Sequence, residues 1–144
     1  MPDVFSKKKR SWIMGRVKSE NTRPEMRVRR RLHALGFRFR LHRADLPGKP
    51  DLTLPKYKTV IFVHGCFWHG HPGCKHADLP ASNREYWVKK IGRNVARDAK
   101  NRALLEERGW RVLVLWECRI RTAEGLEGEL GPLVASGLTP PALS

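Results

Sequence analysis

Two apolar segments of strand length, separated by a segment of helical periodicity, limit most strongly what this chain can fold into. They are KTVIFVH (58–64) and RVLVLWE (111–117). Each is apolar on both faces, which is typical of a strand buried on two sides in the interior of a sheet. A helix that connects two such strands makes them parallel, so their carboxyl ends open on the same edge of the sheet.

Helix signals flank the remaining periodic segments. TRPE (22–25) is a capping-box pattern with a proline in the first turn, and Gly36 is a stop signal, so a helix is predicted over 23–35. A second capping-box pattern, SNRE (82–85), opens a long helix that ends at Gly109. One face of that helix carries apolar residues spaced four apart, namely Trp87, Ile91, Val95 and Ala99.

Two further segments complete the strands. FRFRLH (37–42) alternates apolar and basic residues, and DLTL (51–54) is a short apolar run after a proline-glycine turn. The order α-β-β-β-α-β predicts a single α/β domain over residues 11–130, a mixed sheet flanked by helices. Residues 1–10 are predicted to be a flexible basic arm, and 131–144, which lose periodicity and charge, a disordered tail.

Charge narrows the class of partner. The 144 residues carry 29 lysines and arginines against 14 acidic residues, a net charge of +15. Such an excess destabilises a small domain by self-repulsion, so nucleic acid is the predicted partner; a ribosome-associated protein or a merely solubilising surface is the alternative. No segment resembles a signal peptide or can span a bilayer, and an odd number of cysteines, three, fits a reducing cytoplasm.

The loop HGCFWHGHPGC (64–74) concentrates metal-ligand residues. Glycines and a proline around Cys66, His71 and Cys74 let the backbone fold tightly about an ion, and Cys118 follows the last strand at the same predicted sheet edge. These four residues predict a closed, tetrahedral zinc site of the structural type. Two alternatives stay open: His76 as the fourth ligand, and Cys118 as a small buried core residue.

The same loop retains two large aromatic residues after the metal ligands are assigned. Phe67 and Trp68 are adjacent in a segment too short to have a core of its own, so one or both are expected at the surface. In a basic protein, exposed rings are stacking platforms or wedges between bases. The alternative is that they only cap the edge of the sheet.

A candidate for hydrolytic chemistry surrounds Asp51. The hairpin of the second and third strands brings Val63 and His64 back beside Asp51, and Glu25 and His69 can face the same place. A carboxylate, a main-chain carbonyl and two imidazoles suit a hard divalent ion that activates water against a phosphodiester. Each residue also has an ordinary interpretation, as a turn residue, a helix cap or a satisfied histidine at a strand end.

The segments that carry these residues resemble the very-short-patch mismatch repair endonucleases. They are PGKPD (47–51), VIFVHGCFWHGH (60–71), EYWVKKIGRNVARD (85–98) and GWRVLVLWEC (109–118), with RSWIMGRVKSENTRPEMRVRRRLHALGFRFRLH at 10–42. The resemblance covers roughly residues 10–120 in the same order and spacing. It implies a variant of the PD-(D/E)xK nuclease fold that nicks one DNA strand beside the thymine of a T:G mismatch, the product of 5-methylcytosine deamination.

The resemblance also implies residue roles. Asp51 would bind Mg²⁺ with help from the main-chain carbonyl of Val63, and His69 would be the general base, assisted by His64 and Glu25. The structural Zn²⁺ ligands would be Cys66, His71, Cys74 and Cys118, and the residues that intercalate beside the mismatch would be Met14, Phe67 and Trp68. The expected protein is a monomer that acts on double-stranded DNA in the cytoplasm, at the nucleoid of a bacterium, with downstream repair proteins as partners and no membrane.

Two other functions remain possible from the residues alone. One is a zinc-stabilised nucleic-acid-binding module without catalysis, in which Asp51 and His69 are structural. The other is a nuclease of the same fold that acts on branched DNA or on matched restriction sites. The placement of Asp51, His64 and His69 around one sheet edge favours an enzyme, since binding alone does not require it.

Overall fold

The computed structural model describes residues 21–138, with side chains through residue 135. Within these residues the α-helices are α1 (Arg23–Ala34), α2 (Arg84–Glu107) and α3 (Ala123–Leu138). The strands of the same described part are β1 (Arg40–Leu41), β2 (Leu52–Leu54), β3 (Thr59–His64) and β4 (Arg111–Trp116). The predicted basic arm at residues 1–10 and Met14 lie outside the described residues.

The four strands form one mixed sheet in the order β1-β2-β3-β4. β1, β2 and β3 pair antiparallel, and β3 pairs parallel with β4 in the register Val63↔Leu115 and His64↔Trp116. The predicted mixed α/β arrangement is therefore confirmed, including the parallel pair β3–β4, in which β4 is the edge strand of the sheet. The first strand is shorter than predicted, because Phe37 packs into the core and only two residues of the segment join the ladder.

Side chains of the sheet alternate between two hydrophobic clusters. Ile61 and Leu115 point to one face, where α1 and α3 cover them, while Val60 and Val112 point to the other, where Leu105 of α2 covers them. Because successive residues of a strand point to opposite faces, Phe62 lies on the α2 side together with Val60. His64 has the same parity, so it belongs to the face that α2 covers.

The start of α1 is capped as the sequence predicts. The Oγ1 atom of Thr22 accepts a hydrogen bond from the Glu25 amide at 3.3 Å. The Glu25 carboxylate accepts a hydrogen bond from the Asn21 amide at 3.1 Å. In a standard capping box it would instead accept from the amide of the N-cap residue, here Thr22. Gly36, two residues after the last helical residue, adopts φ +87°, a left-handed conformation that glycine tolerates and that ends the helix.

The start and the buried face of α2 differ from the prediction. The N-cap is Asn83, with φ +57° and no side-chain cap, so the capping box predicted at Ser82 is wrong. Trp87 and Ile91 are buried as expected, but Val95 is 43% exposed and the polar Asn94 takes the inward position. Asn94 faces inward because its side-chain amide donates a hydrogen bond to the loop that follows β3.

The predicted disordered tail is wrong for residues 131–138, which form the second half of α3. The segment is rich in glycine and contains Pro132, so its intrinsic helix propensity is low. Leu126, Leu130 and Leu133 nevertheless recur at helical spacing and are at most 5% exposed in the cluster that covers α1. Burial of this leucine stripe stabilises a helix that propensity alone does not predict. Among the described residues, no helix has the length and apolar character needed to cross a bilayer.

We expect Leu130→Ala to lower the free energy of unfolding by about 2–5 kcal/mol, since Leu130 is fully buried and its truncation leaves a cavity. Urea unfolding of the full chain measures this change. The matched control is Glu124→Ala in the first turn of the same helix, where the side chain is exposed and the expected loss is under about 1 kcal/mol. Equal effects of the two substitutions would show that α3 does not pack on the core.

Candidate active site and metal centre

A cleft of about 550 Å³ opens where β3 ends. Asp51 enters it from the residue before β2, His64 from the end of β3, and His69 from the loop that follows. Asp98 reaches the same cleft from α2, and Val63 also lines it. The structure therefore brings together four of the residues that the sequence placed at this sheet edge, and adds an acid that it did not.

The carboxylate of Asp51 is fixed by the backbone of the neighbouring strand. Its Oδ2 atom accepts a hydrogen bond of 2.7 Å from the Val63 amide. A carboxylate accepts in about four directions, so this bond orients the group without preventing it from binding a cation. Asp51 and the main chain at Val63 are thus adjacent, as the predicted hairpin requires.

Glu25 is almost fully buried, with 1% of the residue exposed, behind the cleft. Its Oε2 atom contacts Arg29 Nη1 at 3.3 Å and His42 Nε2 at 2.8 Å. Ligand atoms of Glu25, His42 and Asp51 lie within 4.8 Å of one another, a group that could hold a metal ion. Burial of this carboxylate is tolerable because cationic and amide donors surround it.

A hydrogen-bonded dyad occupies the opposite side of the cleft. His69 Nδ1 lies 2.7 Å from Asp98 Oδ2, and both side chains are partly exposed. When Nδ1 carries the ring proton and donates a hydrogen bond to Asp98, Nε2 has no proton and can accept one. This is the tautomer that a general base requires.

His64 stacks on His69 with ring centroids 3.7 Å apart and an angle of 3° between the planes. Burial, reinforced by the neighbouring His69, lowers the pKa of His64 to about 4. At neutral pH, His64 is therefore uncharged, and it supports the other ring without opposing a positive charge on it.

The predicted metal ligands of the loop come together with Cys118. Ligand atoms of Cys66, His71, Cys74 and Cys118 lie within 4.8 Å of one another, and Cys118 Sγ is 3.4 Å from His71 Nδ1. In the absence of a cation, burial raises the pKa of the Cys66 thiol to about 12. Three thiols and an imidazole at this spacing fit a bound metal ion, whose charge would stabilise the thiolates. His76, the alternative fourth ligand, is exposed and outside the group.

Backbone geometry closes the loop around this group. The His71 amide donates to the Cys66 carbonyl at 2.9 Å, and Gly70 and Gly73 adopt φ values of +59° and +70°. A Cβ atom at Gly70 would lie 2.9 Å from Val95 and 3.0 Å from Ile91, so only glycine lets the loop approach α2 this closely.

Phe67 and Trp68 form one aromatic cluster with Trp87 of α2. The ring centroids are 5.2 Å apart for Phe67–Trp68 and Phe67–Trp87, and 5.9 Å apart for Trp68–Trp87. Trp87 is buried, while the two loop rings are partly exposed. Asn94 Nδ2 donates to the Trp68 carbonyl at 2.9 Å, which ties the loop backbone to α2. The rings therefore have a rigid base and a partly open surface.

Sequence reasoning missed four residues of this region: His42, Trp87 as a partner of the loop rings, Asn94 and Asp98. Part of the signal was present. Trp87, Ile91, Asn94 and Asp98 follow one another at spacings of four, three and four, which is the inward stripe of a helix. The prediction favoured the apolar residues Val95 and Ala99 over polar ones at neighbouring positions, although polar residues on an inward face are strong candidates for a site.

Comparison with known proteins identifies the family of this chain. The family model described as DNA mismatch endonuclease Vsr matches residues 2–76. A type II nicking enzyme of Xanthomonas oryzae pv. oryzae, V.XorIIP, is 51% identical over 130 residues, which cover 90% of this chain and 95% of the relative. The DNA mismatch endonuclease Vsr of Escherichia coli K12 is 44% identical over 129 residues, or 90% of this chain and 82% of that protein. The chain therefore belongs to the Vsr family of DNA endonucleases.

Proposed function

We propose that this endonuclease nicks one strand of duplex DNA next to the thymine of a T:G mismatch, with Mg²⁺ at Asp51 and a structural Zn²⁺ in the Cys66 group. The observation that carries the proposal is the single cleft that Asp51, His64, His69 and Asp98 share. A DNA-binding module without catalysis has no use for a cation-binding carboxylate opposite a hydrogen-bonded His–Asp dyad. The name of the E. coli relative, a DNA mismatch endonuclease, supports the choice of substrate.

The order of elements around the cleft supports a variant of the PD-(D/E)xK nuclease fold. Pro50 and Asp51 precede β2, the sheet continues through a hairpin into β3, and α2 returns the chain to the parallel strand β4. Such a chain would act as a monomer, since one copy supplies the whole cleft. It would act on chromosomal DNA, at the nucleoid in the cytoplasm of a bacterium, and downstream repair proteins would then act on the nick.

Basic residues flank the cleft on its two helices and would hold the DNA backbone. The exposed cations of these helices are Arg23, Arg27 and Arg30 on α1 and Arg84, Lys89, Arg93, Arg97, Lys100 and Arg102 on α2. Contacts from such side chains to phosphates release counterions, so binding would weaken steeply with salt. They supply affinity that does not depend on sequence, and other groups must supply the choice of site.

His69 would take the proton from the water that attacks the phosphorus atom. Its Nδ1 atom faces Asp98 at 2.7 Å, which holds the ring in the tautomer with a basic Nε2. As the proton moves to Nε2, the Asp98 carboxylate stabilises the imidazolium that forms. The stacked, uncharged His64 keeps the ring in place during this step.

Asp51 and the main-chain carbonyl of Val63 would hold Mg²⁺. Both are hard oxygen ligands, and two protein ligands are enough for an ion that otherwise binds water and phosphate oxygens. When bound, Mg²⁺ would supply Lewis-acid neutralisation of the negative charge that builds up on the scissile phosphate. The cleft needs that neutralisation because Asp51, Asp98 and Glu117 all border it.

Phe67 and Trp68, with Met14 from the N-terminal segment, would intercalate beside the mismatch. A T:G wobble pair stacks poorly, so opening the step beside it costs less than opening a matched step, which takes a few kcal/mol. Trp87 and the bond from Asn94 to the Trp68 carbonyl hold the two loop rings, so they lose little freedom on insertion. Mismatch choice would rest in part on this difference in deformability.

We expect Asp51→Asn to reduce nicking of an end-labelled T:G duplex to background while leaving DNA binding measurable, because the variant keeps the shape of the side chain and loses the cation ligand. Incubation with Mg²⁺ beside a C:G duplex maps any nick. Asp45→Asn is the matched control, since Asp45 is exposed and paired with Arg43 away from the cleft. Undiminished turnover in the first variant would remove Asp51 from the mechanism.

Cys118→Ala should lower both the zinc content of the purified protein, measured by mass spectrometry, and its thermal stability. The reason is that Cys118 is the one ligand of the group that comes from beyond β4, so the ion joins the loop to the end of the sheet. His76→Ala should change neither quantity, because His76 lies outside the group. Loss of zinc in the His76 variant alone would reverse the assignment of the fourth ligand.

Trp68→Ala should weaken binding to a T:G duplex by about 1–3 kcal/mol, the value of one aromatic–base stack, and weaken binding to the matched duplex by less. Titration of both duplexes at one fixed salt concentration measures the difference. A loss of the same size on the two duplexes would mean that Trp68 contributes general affinity and plays no part in choosing the mismatch.

A further inference from the structure

His42 lies directly across the sheet from Asp51. The ladder of β1 and β2 pairs Leu41 with Leu52, and one step further along it the His42 amide donates to the Asp51 carbonyl at 3.2 Å. His42 also adopts φ +47°, a left-handed conformation that is uncommon outside glycine. A strained backbone at this position requires surrounding contacts that hold it, and such strain clusters at functional sites.

The imidazole of His42 completes a compact set of ligand atoms. His42 Nε2 is 2.8 Å from Glu25 Oε2, and one ligand atom from each of Glu25, His42 and Asp51 lies within 4.8 Å of the other two. Adjacent ligands of an octahedral ion with bonds of about 2.0–2.2 Å are about 3 Å apart, and opposite ligands are about 4.0–4.4 Å apart. The three atoms lie within 4.8 Å of one another, so small side-chain movements would bring all of them onto one ion.

We propose that His42 and Glu25 are two further protein ligands, beside Asp51 and the Val63 carbonyl, of the divalent cation at Asp51, and that the His42 nitrogen makes the site prefer Mn²⁺ to Mg²⁺. This inference rests on the proposed function, which places a divalent cation at Asp51. It adds Glu25 and His42 as ligands of that cation and predicts which metal ion the enzyme prefers.

The chemistry of the three donors supports this preference. Mg²⁺ selects oxygen ligands and keeps most of its waters, whereas Mn²⁺ accepts imidazole nitrogen together with carboxylates. Oε2 of Glu25 contacts Arg29 Nη1 and His42 Nε2, so the carboxylate is already oriented toward His42, as coordination of one shared ion requires. A bound ion would take the place of the hydrogen bond between His42 and Glu25, with each group supplying one ligand atom.

Pulsed electron paramagnetic resonance of the zinc-loaded full-length chain with added Mn²⁺ tests the proposal directly, because a coordinated imidazole gives nitrogen modulation that oxygen ligands do not. The wild type should show that modulation, and His42→Asn should lose it, with a Kd for Mn²⁺ raised by about tenfold or more and a Kd for Mg²⁺ changed much less. Asparagine is chosen because it tolerates the left-handed backbone of position 42. His42→Gln is the second variant, with zinc content and thermal unfolding as the check of folding for both.

The matched control is His33→Gln, at an exposed histidine near the end of α1, which should keep the wild-type modulation and both affinities. Nitrogen modulation that persists in both His42 variants and disappears in His69→Gln would overturn the proposal, since the coordinated imidazole would then be that of His69.

Asp51→Asn separates this inference from the proposed function. If Asp51→Asn abolishes binding of both ions while the His42 variants bind Mn²⁺ as the wild type does, only the His42 inference fails. If Asp51→Asn leaves both affinities unchanged, the cation site of the proposed function fails as well.

Discussion

Parallel pairing of β3 with β4 is the constraint on which the rest of this structure depends. It aligns His64 with Trp116, so the loop after β3 and the segment after β4 leave the sheet at the same edge. Cys118 then lies beside Cys66, His71 and Cys74, although more than forty residues of chain separate it from them. His71 also stacks on Trp116, with ring centroids 4.2 Å apart, so the metal group is packed directly onto the end of β4. An antiparallel β4 would place Cys118 at the far end of the sheet, and no single ion could reach all four ligands.

Helix α2 connects these two strands and also supplies the site. Its inward stripe contributes Trp87 beneath the loop rings, Asn94 to the Trp68 carbonyl and Asp98 to His69. The loop approaches the helix closely enough for these contacts only because position 70 is glycine. One rigid helix therefore sets the positions of the proposed base and of the proposed wedge together. A shift of α2 relative to the sheet would move both, and this couples mismatch binding to the geometry of cleavage in the proposed mechanism.

The carboxylates of Glu25 and Asp51 are compensated by nearby hydrogen-bond donors. Glu25 is surrounded by Arg29, His42 and the Asn21 amide, and Asp51 accepts from the Val63 amide. His64 stays uncharged because burial and His69 lower its pKa. Asp51 and the His69–Asp98 dyad both line the cleft, and exposed basic residues lie on α1 and α2. The net charge of +15 makes the chain repel itself, and the carboxylates that line the cleft are where a cation is proposed to bind.

Local patterns in the sequence determined the element order, the capped start of α1 and the fully apolar strands, because each depends on neighbours in the chain. They also predicted the group of four metal-ligand residues, because a helical crossover of fixed handedness brings the ends of the two strands to the same edge. The resemblance to the very-short-patch endonucleases was likewise readable from short segments, and the comparisons confirm the family. Tertiary structure alone decided the partners of the site. His42 meets Glu25 through the register of β1 and the position of α1, and Asp98 meets His69 across 29 residues of chain. It also decided α3, whose glycines and proline argue against a helix until Leu130 and Leu133 are buried against the core. In α3 and in the site, burial and contacts between distant residues outweigh local propensity. Local sequence patterns do not show which distant residues will be in contact, so these features could not be predicted from them.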